Sequence, residues 1–125
     1  MEANTEFEVA LASDYPNRAL DLVTFFDCLH DMGDPLGAAR HVRQTLKPDG
    51  TWMIVEPVAG DRLESNLNPV SRMYYAASTM ICVPTSLDQP VGAAPSAQAG
   101  YDKLSSVIAA DGFSKIRKPP RRPSI

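Results

Sequence analysis

Residues 20–56, LDLVTFFDCLHDMGDPLGAARHVRQTLKPDGTWMIVE, decide the fold class. The run 20–26 is almost continuously apolar and bounded by turn residues, the pattern of a parallel strand covered on both faces. Asp34 ahead of Pro35 reads as an N-cap with proline in the first helical turn. Leu36, Ala39, Val42 and Leu46 then fall on one stripe, which predicts an amphipathic helix over 35–46. Lys47-Pro48-Asp49-Gly50 stops that helix as a turn. The run TWMIVE predicts a second buried strand over 51–56, ended by Pro57. Strand, loop, helix, turn and strand in this order make a right-handed parallel crossover, so the class is α/β with a mostly parallel sheet. Open sheets of this kind bind ligands beyond the carboxyl ends of their strands. Here those ends are Phe26-Asp27-Cys28-Leu29-His30-Asp31 and Glu56-Pro57.

On the N-terminal side, Phe7, Val9 and Leu11 alternate with Glu6, Glu8 and Ala10, which predicts a strand over 6–11 with one wet face. Asp14, Pro16 and Asn17 form a loop behind it. On the C-terminal side, Asn68-Pro69 opens a capped helix over 69–83, with Val70, Met73, Tyr74, Ala77 and Ile81 on one stripe and Pro84 as its stop. Residues 85–100 read as loop with at most a short helical turn. Leu104, Val107 and Ile108 mark a last helix over 101–110, stopped by Gly112, and residues 113–118 begin a further strand.

The net charge of −3 hides an asymmetry. Residues 1–114 hold seven basic and fifteen acidic groups, a net of −8, while Lys115, Arg117, Lys118, Arg121 and Arg122 crowd the end. An acidic body disfavours a nucleic-acid surface there. The proline-rich, basic 119–125 is expected to be a disordered tail. With no run of eighteen apolar residues nothing is expected to span a membrane. MEANTEFEVA lacks a secretion pattern, and Cys28 and Cys82 form no CxxC pair or disulfide framework, so a reduced, cytoplasmic setting is the expectation. Cys28 reads as a small core hydrophobe. His41, mid-helix among arginines, reads as a surface residue. Asp27, His30 and Asp31 have no distant fourth partner at metal-ligand spacing, so no metal is expected.

The stretch DLVTFFDCLHDMGDP…LKPDGTWMIVEP resembles the fourth strand, following helix and fifth strand of class I S-adenosylmethionine (SAM)-dependent methyltransferases. Over about residues 6–116 the chain is similar to the C-terminal part of actinobacterial methyltransferases that carry a winged-helix domain in front. The resemblance implies a partial Rossmann-like fold and methyl transfer to a small hydroxylated molecule with SAM as cofactor. It also implies that His30 removes the proton of the acceptor hydroxyl while Glu56, ending the next strand, orients the imidazole. That division of labour is chemically sound, because a histidine with a pKa near 6.5 suits the task and a carboxylate on its far nitrogen fixes the tautomer. By the same resemblance Leu11, Ala12, Phe26 and Asp27 would touch the cofactor, and Asp31, Met73 and Tyr74 the substrate. Residues 61–100 would be a helical insertion on the substrate side of a partial methyltransferase domain, 1–118. Residue by residue, other roles stay open: a loop cap for His30, a solvent-facing strand end for Glu56, and packing alone for Met73, Tyr74 and Met80.

The family's Gly-rich turn after its first strand has no counterpart, for no GxGxG pattern occurs in the chain. Its acidic ribose-binding residue is missing too, and Leu11 stands where relatives often carry an acid near the adenine. The implied sheet order, 3-2-1-4-5-7-6, would be supplied only with strands 3, 4, 5 and the start of 6. The expectation is a chain truncated at both ends with the inner edge of the fourth strand open: either the 6–11 strand moves beside it, a second copy or complementing chain fills the gap, or the product folds poorly. Two other readings stand beside the enzyme: a non-catalytic remnant or a module completed by another polypeptide, and a different doubly wound enzyme such as a dehydrogenase.

Overall fold

The structure is a computed structural model that describes residues 4–120. It is a mixed α/β fold built on a two-stranded parallel sheet. β1 (Leu20–Phe26) pairs with β2 (Leu46–Val55), and α1 (Pro35–Thr45) makes the crossover between them. The pairing runs Leu22↔Thr51 to Phe26↔Val55, with an earlier bridge Leu20↔Leu46. The predicted turn Lys47-Pro48-Asp49-Gly50 is therefore a bulge inside β2: four residues intervene there, against the single Asp21 on β1. Asp34 caps α1 as its sequence implies, its Oδ1 accepting from the Gly37 N–H at 2.8 Å.

The core is small: Phe25, Leu29, Ala38, Val42 and Leu46 are buried together, with Trp52, Ile54, Leu104 and Phe113 packed against them. Ala38, Ala39 and Val42 of α1 thus cover one face of the sheet, joined by α4 (Tyr101–Ala110), while Leu36 of the predicted stripe is exposed and Leu46 begins β2. The other face is bare: Leu22, Phe26, Met53 and Val55 are each between 41% and 59% exposed. That corrects the expectation of strands covered on both faces. Apolar runs specify a two-sided burial that nothing among the described residues supplies.

The expected strand over 6–11 is also absent. A strand exists through its ladder of backbone hydrogen bonds, and no partner is aligned with this segment among the described residues. It has no regular secondary structure, with Phe7, Val9 and Leu11 at least 71% exposed. Residues 113–118 likewise form no strand. Of the tail expected to be disordered, residues 121–125 lie outside the described residues.

Pro84 does not end the second helix. α2 (Pro69–Ala77), capped by Asn68 through the Ser71 N–H at 2.9 Å, continues through a π-helical turn (Ser78–Cys82) into α3 (Val83–Leu87). Proline lacks an N–H and its ring crowds the carbonyl four residues back. The wider turn, in which the Val83 N–H bonds Ser78 O, takes the helix past that obstacle. The N-terminus of α4 is capped from a distance: both carboxylate oxygens of Asp61 accept from it, one from the Asp102 N–H and one from Lys103, each at 3.1 Å. His41 is half-buried rather than a surface residue; its Nε2 meets Tyr15 O at 2.8 Å, and its ring stands edge-on to the Tyr15 ring. Among the described residues no helix is long and apolar enough to cross a membrane.

Candidate active site

Parallel pairing brings the carboxyl ends of β1 and β2 side by side, which puts Asp27 and Glu56 at one edge of the sheet. Asp27 takes a left-handed backbone, φ 52°, as its N–H bonds Val55 O at 2.7 Å. Such a conformation costs a residue other than glycine some strain, and here it turns the chain sharply off β1 into the 3₁₀ turn Leu29–Asp31. Glu56 holds that turn. Its Oε1 accepts from the Leu29 N–H at 2.8 Å and the Cys28 N–H at 3.3 Å. Its Oε2 lies 2.5 Å from His30 Nδ1. A carboxylate only accepts, so Nδ1 carries the proton in this pair.

Both side chains are buried, Glu56 at 8% and His30 at 5% exposure. On its other nitrogen His30 meets Asp31: Nε2 to Oδ1 is 3.2 Å, though that oxygen is not aligned as a hydrogen-bond acceptor and is buried without a partner. The hydrogen bond to Glu56 raises the His30 pKa, burial opposes it, and the charges of Glu56, Asp31 and Asp27 add to the rise. An imidazole clamped between two carboxylates is a stronger base than a free one. A proton accepted at Nε2 turns an unmatched contact with Asp31 into an ion pair.

Two side chains from the second helical stretch, Cys82 and Ser86, and Gln89 just after it close the site, and the sequence did not single them out for it. The Cys82 thiol lies against the Asp31 carboxylate; burial and that carboxylate both push its pKa up. The Ser86 hydroxyl donates to Met32 O at 2.7 Å. Gln89 accepts from the Gly33 N–H at 2.9 Å and donates to Asp31 O at 3.0 Å. The signal was the spacing Ser78, Cys82, Ser86, three small buried side chains four apart, hidden once Pro84 was read as a stop. Cys28 stays a thiol as well, its pKa raised by burial first.

Of the residues expected in the site, His30, Asp31, Asp27 and Glu56 come together. Phe26 ends β1 with its ring 59% exposed on the bare face. Leu11 is exposed in a turn closed by Asp14 N to Leu11 O at 3.0 Å, while Ala12 packs against the core. Met73 is exposed and Tyr74 half-buried on α2. Tyr74 lies eight residues before Cys82, roughly 12 Å along a helix, so the links from this helical stretch to the His30 turn pass through Cys82 and Ser86. Among the described residues two groups have metal-ligand atoms within 4.8 Å of one another, His30-Asp31-Cys82 and Asp27-His30-Glu56. They share one imidazole, each of whose nitrogens already faces a carboxylate.

A family model described as a methyltransferase domain matches residues 2–88. No curated protein matches the chain.

Proposed function

The chain belongs to the methyltransferase domain family, and from that premise we propose SAM-dependent methyl transfer to the hydroxyl of a small molecule, with His30 as general base and Glu56 as its orienting carboxylate. The observation that carries this reading is the 2.5 Å contact between Glu56 Oε2 and His30 Nδ1, which leaves Nε2 as the proton-accepting atom. The acceptor O–H gives its proton to Nε2, and the oxygen is left with the lone pair that forms the new O–C bond. Glu56 keeps the tautomer and Asp31 stabilises the imidazolium. SAM, when bound, would supply the methyl group as a sulfonium, whose S–CH₃ bond breaks to leave a neutral thioether.

The residues present fit one side of that cofactor. Phe26 offers an exposed side chain and Asp27 a carboxylate beside it. No GxGxG run lets backbone N–H groups approach the carboxylate end. The chain's own share of the reaction is thus the proton transfer. The bare sheet face favours a second reading, a module whose cofactor side another polypeptide completes.

Label transfer from methyl-labelled SAM to a panel of phenols, run with the wild type and His30→Ala, tests the first reading. Loss of about 10²–10⁴-fold per folded molecule in the variant, with folding checked by circular dichroism, supports it. Equal transfer by both proteins rules out His30 as the base. No transfer by the wild type, with no SAM binding in titration calorimetry, favours the completed module.

A further inference from the structure

β1 pairs with one edge of β2, and among the described residues no strand pairs with the other. Along that free edge runs a groove of about 900 Å³ between β2, α4 and the chain after Gly112. Trp52, Ile54 and Leu104 give it an apolar lining. Trp52 also has its indole N–H buried without an acceptor. Arg43, Lys115, Arg117 and Lys118 line the groove against Asp49 and Glu56, together with Lys47, which is paired with Asp21 of β1 at 2.6 Å. A positive groove is unusual on a chain of net charge −3.

The same molecule carries a segment of matching character. Residues 6–11 alternate and pair with no strand among the described residues; Phe7, Val9 and Leu11 are exposed, and Glu6 and Glu8 alternate with them. In its own copy the segment is held by exposed ion pairs from Arg18 to Glu6 and Glu8, at 2.9 and 3.0 Å. Pairs of that kind restrain a segment weakly.

We infer that residues 6–11 of one copy add as a strand to the free β2 edge of a second copy, and that the exchange is reciprocal. Main-chain hydrogen bonds supply the pairing, and the alternating apolar side chains supply the fit. Charge selects the edge: β1 carries no cation and runs into Asp27, whereas Arg43, Lys115, Arg117 and Lys118 beside β2 attract Glu6 and Glu8. A two-fold arrangement closes the assembly at two chains and pairs both edges. This goes beyond the proposed methyl transfer and does not rest on it.

Sedimentation velocity over a concentration series, with circular dichroism as the check on folding, tests the exchange. The wild type is expected to dimerise, and more weakly at high salt. Glu6→Lys with Glu8→Lys should weaken the dimer by about tenfold or more, as should Lys115→Glu with Arg117→Glu. A chain carrying all four changes should regain it. A wild type that stays monomeric throughout overturns the inference. So does a dimer indifferent to both charge reversals, or a four-fold variant that stays apart while folded.

Discussion

Glu56 and His30, 26 residues apart in the chain, are joined by one carboxylate that also holds the backbone at Cys28 and Leu29. Removing it thus undoes two functions at once, tautomer control and the shape of the turn. Glu56→Gln keeps an acceptor for the backbone but loses the charge and the hydrogen bond that most raise the His30 pKa. The His30 ring, followed by NMR against pH, should titrate lower in Glu56→Gln than in the wild type. An unchanged titration would mean that the 2.5 Å contact does not set the basicity of His30. Glu56→Ala, which also leaves the buried N–H groups unpaired, should cost about 3 kcal/mol in chemical denaturation.

Stability should depend on pH through the same pair. The folded-state pKa of His30 lies above the ordinary 6.5, so the folded protein holds that proton more tightly than the unfolded chain. The stabilisation is fully present below about pH 6.5 and is lost as pH rises through the folded-state value. Urea midpoints from slightly acidic to alkaline pH should fall in the wild type. The fall should flatten in His30→Gln. A parallel fall in the variant would assign it to other groups.

Leu29 sits at full burial between the core and the turn that carries His30. Leu29→Ala should cost about 2–5 kcal/mol and disturb the His30 resonance as well, since its neighbour loses its packing. Asp34→Ala, at the cap of α1, should cost only about 0.5–2 kcal/mol and leave that resonance in place. Denaturation and NMR on the two variants check both the ranking and the separation.

Much of this architecture was legible in the sequence. β1 and α4 fall on the predicted residues and α1 ends one residue early, because runs and caps at these sites are local signals. Parallel pairing put the strand ends that carry His30 and Glu56 on one side of the sheet, and the resemblance paired the two. Three features were not legible. The 6–11 alternation describes a strand that needs a partner, and no local pattern says whether one is present. Pro84 breaks an α-helix but not a helix that has widened by one residue beforehand. The cap of α4 comes from Asp61, 41 residues before Asp102, beyond any local signature.

The bare sheet face makes a claim on solubility. Leu22, Phe26, Met53 and Val55 are exposed apolar neighbours, an invitation to association. Leu22→Thr with Met53→Thr should keep the denaturation midpoint within about 0.5 kcal/mol and raise the concentration at which the protein precipitates. A large loss of stability instead would mean that the face is covered in solution.

The widened turn at Ser78–Cys82 also sets a phase. Each residue of a helix advances its direction by about 100°, so one residue more or less there swings all that follows around the axis. Deleting a single residue from this turn would rotate Ser86 away from Met32 O, while α2 before it kept its place. The turn that lets the chain pass Pro84 is therefore also what aims the far end of the helix at the loop carrying His30. Insertions and deletions at that point will be read by the site as changes of direction.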